Sequence, residues 1–220
     1  MARTKKEKIG AIKKYAYSDK KALTGLAKTG IMEEKDLLQF ITNNRIETYL
    51  HKDNNLIQEC YCNKYNVTYY KLTEDGKNLV KEKYSVTGCS IGNVTYDHNR
   101  LVRDDYMKMS ESEQERALSE QDFRNFVWQK VIHDKHSYDD ERRDKALELE
   151  EGLRNGTFSL PDLGTIKDED YTPSVQLEIK ISDFTVYESV TINYKQSQID
   201  AKNAFATTAN CTMNMSYTYK

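Results

Sequence analysis

Residues 42–48, Thr42-Asn43-Asn44-Arg45-Ile46-Glu47-Thr48, gather side chains of the kind that read base-pair edges. An asparagine amide matches the N6/N7 edge of adenine and an arginine guanidinium the O6/N7 edge of guanine, each pairing worth about 1–3 kcal/mol of discrimination. Ile46, Tyr49 and Leu50 fall on one helical face, so Asn43, Asn44, Arg45, Thr48 and Lys52 are expected to point outward and Thr42 to cap the helix. Lys5, Lys6, Lys13, Lys14, Lys64 and Lys71 are the candidate phosphate contacts. A formal net charge of −2 conceals their clustering: residues 1–84 hold 17 Lys+Arg against 11 Asp+Glu, and the remainder 16 against 24. The basic part of the chain is the part carrying the base-reading types.

A second set, Asp162, Glu178, Lys180 and Glu188, lies on or beside predicted strands. A metal site there would need two of the carboxylates within about 2.0–2.2 Å of one Mg²⁺. His133 and His136 stand three residues apart, but no third and fourth ligand follow at a zinc spacing, so no metal is expected. Cys60, Cys62, Cys89 and Cys211 lack a paired C-x-x-C spacing and are expected to be reduced thiols.

The elements that must position these groups can be read in chain order. Lys8 to Tyr17 and Lys20 to Thr29 show helical spacing, with Gly30 as a stop; Glu33 to Ile41 and a helix from Thr42 then abut as a helix-turn-helix. Leu56 to Cys62 and Val67 to Leu72 are β-rich runs around the turn residues Asn63-Lys64-Tyr65-Asn66, and Thr73 begins another helix with Glu74 and Asp75 in its first turn. Residues 1–86 form the first expected domain, 87–121 a linker with helices, and 122–220 an α/β domain. Within the last, Phe123, Phe126, Val127 and Val131 make an apolar helix stripe, expected to pair two subunits. Phe158 to Asp162, Val175 to Ile181, Phe184 to Tyr194 and Thr212 to Tyr219 read as strands, and Ser197 to Phe205 as a helix. The predicted class is α+β, with the C-terminal order helix, strand, strand, strand, helix, strand.

With 31% charged and 38% hydrophobic residues the chain has the composition of an ordinary folded protein rather than a disordered one. It contains no apolar run approaching the ~20 residues of a membrane span and no hydrophobic core of a signal peptide, which points to a cytoplasmic setting.

Residues 42–84 resemble the recognition helix and wing of winged-helix DNA-binding proteins, and Tyr69 to Leu79, YYKLTEDGKNL, is similar to the Y-x-L-T-x-x-G-x-x-L ending of many bacterial winged-helix regulators. In that family the helix enters the major groove and the hairpin lies along the phosphates. The C-terminal order, with Pro161-Asp162 followed by Glu178-Ile179-Lys180, resembles the P-D…(D/E)-x-K nuclease core, in which two carboxylates hold a divalent metal and a lysine stands near the attacking water. A competing register uses Glu188 with Lys195 or Lys202. The whole chain is similar to the replication-relaxation proteins of mobile elements, which join a winged helix to a nuclease-like domain.

These resemblances imply a sequence-specific double-stranded-DNA-binding protein of a plasmid, phage or conjugative element, acting as a homodimer in transcription regulation, replication or mobilisation. The Glu178 register has no assignable further carboxylate and the Glu188 register no lysine two residues on, so the nuclease-like domain is expected to bind or dimerise rather than cleave. Two alternatives are a Mg²⁺-dependent nuclease targeted by the winged helix and a phage-type inhibitor that holds a host protein through the acidic C-terminal half.

Overall fold

A computed structural model describes residues 11–88, 95–167 and 179–218. The chain is mixed α+β, with two small sheets among helices. Lys5, Lys6, Cys89, the acidic run 168–170, the stretch 175–178 of one expected strand and, with it, Glu178 lie outside the described residues.

Helix α1 (Tyr17–Thr29) starts where the Asp19 carboxylate turns back to accept from the Ala16 N–H at 2.7 Å, and stops at Gly30, whose φ of 77° suits glycine. The separate helix expected over 8–17 is not present in its described part. Residues 11–16 run without regular structure, and the Ile12 N–H is held by Asn54 Oδ1 at 2.8 Å. A two-residue strand β1 (Met32–Glu33) precedes the short α2 (Glu34–Leu37) and α3 (Asn43–Leu50). The hairpin β2 (Ile57–Cys62) and β3 (Val67–Leu72) follows, turning at Asn66 with φ 53°. β3 is central: the antiparallel order is β1-β3-β2, with Met32 opposite Tyr70 and Ile57 opposite Leu72.

Helix α4 (Glu74–Tyr84) is capped as expected, the Thr73 hydroxyl accepting from the Gly76 N–H at 3.1 Å. Gly76 is needed for space, because a Cβ there would lie 2.0 Å from the Leu56 carbonyl oxygen. Apolar faces of α1, α3, α4 and β1–β3 close over Leu23, Leu26, Met32, Leu37, Tyr49 and Val80, all essentially without exposure.

Helix α5 (Tyr96–Lys108) lends Val102 and Tyr106 to that same core, which Leu163 and Tyr187 from the second sheet also reach. After α6 (Glu111–Arg116) and the two-residue β4 (Leu118–Ser119) come α7 (Glu120–Asp134) and α8 (Asp140–Asn155). The remaining elements are β5 (Leu163–Ile166), β6 (Phe184–Val190), α9 (Gln196–Ala209) and β7 (Thr212–Tyr217). Their sheet runs β4-β5-β6-β7, antiparallel except for the β6/β7 pair, which α9 connects as a parallel crossover.

Two sequence expectations shift here. The strand expected to end at Pro161-Asp162 begins after it, since proline has no N–H to give and the ladder starts only with the Asp162 N–H, which donates to Tyr187 O at 3.1 Å. Ile179 and Lys180 are outside any strand, and Ile181–Asp183 form a 3₁₀ turn.

The stripe expected to pair subunits is consumed inside the protomer. Phe123, Val127 and Val131 are buried with Phe184 and Phe205, and Phe126 lies 4.9 Å from Phe184, ring centroid to centroid. Among the described residues no helix is long and apolar enough to cross a membrane.

Candidate functional site

The first candidate surface is the N-terminal end of α3 with the neighbouring hairpin. Thr42, Asn43, Asn44 and Lys52 are exposed, and Lys13 and Lys14 are exposed on the chain leading into α1. Thr42 occupies the N-cap position, but its side chain makes no capping bond. Thr48 is half-buried and its hydroxyl donates to the Asn44 carbonyl at 2.7 Å, back along the helix.

Arg45 departs from the expectation that it faces outward. Its Nε and Nη2 donate to the two oxygens of Asp19 at 2.7 and 2.6 Å, and its guanidinium lies 5.5 Å from the Tyr49 ring centroid. The Tyr49 hydroxyl donates to the same carboxylate. Burial alone would raise the Asp19 pKa, yet the hydrogen bonds from Arg45, Tyr49 and the Ala16 N–H hold it below the usual carboxylate value. The reason is local: α1 places a 2% exposed carboxylate against α3, and an unpaired charge there would be costly. Arg45 therefore clamps α3 to α1 and has no free fork for guanine. On the hairpin, Lys64 sits 2.7 Å from Asp97 at the start of α5, and Lys71 lies over the Tyr69 ring at 5.5 Å.

The second candidate is an ionic cluster inside the C-terminal sheet. Asp162 precedes β5, Glu188 is on β6 and Lys202 on α9; their exposures of 7%, 0% and 6% place all three in the interior. Lys202 Nζ is 2.6 Å from Glu188 Oε2 and 3.7 Å from Asp162 Oδ1. Asp162 Oδ2 accepts from the Ser189 N–H at 2.9 Å and lies 3.0 Å from His98 Nε2, supplied by α5. The Tyr194 hydroxyl donates to Glu188 Oε1 at 2.6 Å.

Burial and the nearby Asp162 charge push the Glu188 carboxyl up to about 7 against the pull of Lys202 and Tyr194. Burial acts the same way on Asp162, but the His98 hydrogen bond and the Lys202 charge bring it below its ordinary value. Burial would lower His98, and Asp162 reverses that, holding the imidazole above its ordinary value.

The structure thus brings together Asp162 and Glu188 of the sequence-derived set, together with Lys202, which the sequence offered only as one of two lysines beyond Glu188. Lys180 is exposed and apart, its backbone N–H bonded to Asp183 at 2.8 Å. His98 was not anticipated; no spacing in the sequence links residue 98 to residue 162. The cluster does not fit a divalent cation as arranged. The nearest contacts of both carboxylates are an ammonium, an imidazole, a phenol and a backbone N–H, and among the described residues no three His, Cys, Asp or Glu side chains are grouped as ligands. Cys60, Cys62 and Cys211 are free thiols. Comparison with protein-family models, curated proteins and solved structures gives no match for this chain.

Proposed function

We propose that the protein binds double-stranded DNA in a sequence-dependent way, with α1–α4 acting as a winged helix, α3 in the major groove and the β2–β3 hairpin on the phosphates. The observation that carries this is the order α1, β1, α2, α3, β2, β3, α4 on a sheet paired β1-β3-β2, with the exposed Asn43 and Asn44 at the front of α3. Asn43 and Asn44 are the base readers, and Lys13, Lys14, Lys52, Lys64 and Lys71, with Lys5 and Lys6 of the N-terminal arm, are phosphate contacts. Action in the regulation, replication or mobilisation of a plasmid, phage or conjugative element is the setting this chemistry suits, with duplex DNA as the partner. Two subunits on neighbouring half-sites would meet through a surface other than the buried α7 stripe.

Footprinting on the DNA flanking the protein's own gene tests the proposal. A protected site is expected, with Asn43→Ala and Asn44→Ala each weakening it by about 1–3 kcal/mol and relaxing preference at single base pairs. Equal affinity of wild type and both variants for every duplex would overturn the assignment of α3 as the reader.

The convergence of Asp162, Glu188 and Lys202 on one sheet is the observation that favours a nuclease as the second reading. Because Lys202 and His98 already take up oxygens of both carboxylates, the expected result with purified protein, Mg²⁺ or Mn²⁺ and supercoiled plasmid is intact plasmid. Metal-dependent nicking that Asp162→Ala abolishes would establish the nuclease instead.

A further inference from the structure

The first turns of α5 press against the hairpin through a shelf of tyrosines. Tyr96 stands 5.6 Å from Tyr65 and 4.9 Å from Tyr69, ring centroid to centroid, and its hydroxyl is fixed by Glu33 Oε1 at 2.9 Å. Three cations rest on this shelf: Lys64 Nζ and Arg100 Cζ each 4.8 Å from the Tyr65 centroid, and Lys71 Nζ 5.5 Å from that of Tyr69. Such faces hold a cation in place without neutralising it.

The surrounding acids are each paired through one oxygen, while Asp97 Oδ1 and Asp105 Oδ2 are buried without a hydrogen-bond partner among the described residues. Asp97 pairs with Lys64 at 2.7 Å, Asp104 with Arg103 at 2.6 Å, and Asp105 with Lys108 at 3.2 Å and with the Ser216 hydroxyl at 2.8 Å. Arg100 forms no ion pair among the described residues, and its buried Nε–H has no hydrogen-bond partner there. A half-buried guanidinium, oriented by an aromatic face and in no direct ion pair, keeps the capacity to hold an external anion, with the Asp97 charge acting on it from a distance. Its planar fork matches phosphate oxygens better than a lysine would.

We propose that Arg100 is a phosphate contact, and that the bound duplex continues from the hairpin onto α5. This rests on the duplex-binding function proposed above and extends it, because it makes the helix that follows the winged helix part of the DNA surface. The Arg100 guanidinium, Lys64 and Lys71 line one side of the hairpin as positively charged groups preset by Tyr65 and Tyr69. A phosphate arriving there competes with Asp97, which pairs directly with Lys64 and acts on Arg100 only through its charge.

Fluorescence anisotropy of the full chain on a duplex from its footprinted site, titrated over a salt series, tests this. Arg100→Gln is expected to weaken binding to all sequences alike and to reduce the slope of log K against log salt by about 0.9, the signature of one lost phosphate contact. Arg100→Lys keeps the charge but not the planar stack, so the slope should stay as in wild type while affinity falls about three- to tenfold. A wild-type slope and affinity in Arg100→Gln would overturn the assignment, and so would an unchanged affinity in Arg100→Lys. If the wild type itself binds duplex with no salt dependence, the duplex-binding function fails first and Arg100 with it, an outcome distinct from a change confined to the variants.

Discussion

Replacing Lys202 by methionine should lower stability at pH 8 by about 3–5 kcal/mol, the range seen when one partner of a buried pair is removed and the other charge is stranded. Glu188 is 0% exposed and loses its ammonium at 2.6 Å, keeping only the Tyr194 hydroxyl beside a second carboxylate, Asp162. The pH dependence has a definite sign. The folded-state Glu188 pKa, about 7, already lies above the ordinary 4.5, so this group contributes most to stability while protonated and loses that contribution as pH rises from about 4.5 towards 7. Without Lys202 the folded value climbs further. The deficit of the variant, measured by urea unfolding, should therefore be larger at pH 8 than at pH 5. The double variant Lys202→Met, Glu188→Leu removes both charges and should recover most of the loss. A single variant within 1 kcal/mol of wild type at pH 8 would show that the pair is hydrated and not a buried contact.

The second large effect lies at Asp19. Its carboxylate accepts from the Ala16 N–H, from Nε and Nη2 of Arg45 and from the Tyr49 hydroxyl, so Asp19→Ala removes a helix start and strands a guanidinium and a phenol between α1 and α3. A loss of about 3–5 kcal/mol is expected in thermal or urea unfolding. Asp19→Asn preserves the shape and part of the hydrogen bonding, and should cost clearly less. Arg45→Ala, which the sequence alone would assign to relaxed DNA specificity, should instead act through stability and leave base preference unchanged. An Asp19→Ala protein as stable as wild type would remove the clamp from this account.

Legibility differed from element to element for physical reasons. The hairpin over 57–72 and the cap at Thr73 were readable nearly to the residue, because β-prone runs, turn residues and a capping hydroxyl are local signals. β1 escaped because two residues carry no period. The strand near Pro161 was displaced because the apolar run before it packs as irregular chain, with only Asp162 onward joining the ladder. The same divide separates the site residues. Asn43 and Asn44 stand exposed as their helical phase required, whereas Arg45 turned inward to a partner 26 positions away, at Asp19, which no periodicity reports. Glu188 and Lys202 are joined by the β6–α9–β7 crossover, Asp162 reaches them through the antiparallel β5/β6 pair and His98 from another element altogether, so their meeting is a property of topology.

The core beneath α1 has a consequence for synthesis on the ribosome. Leu163 and Tyr187 join it from the second sheet, so the first 84 residues emerge without part of the apolar cluster of the finished chain. At about 5–20 residues per second, the roughly 100 residues from Tyr84 to Tyr187 require on the order of 5 to 20 s. For that interval the nascent N-terminal segment lacks this part of its apolar cover, and its final burial waits on the translation of the C-terminal sheet.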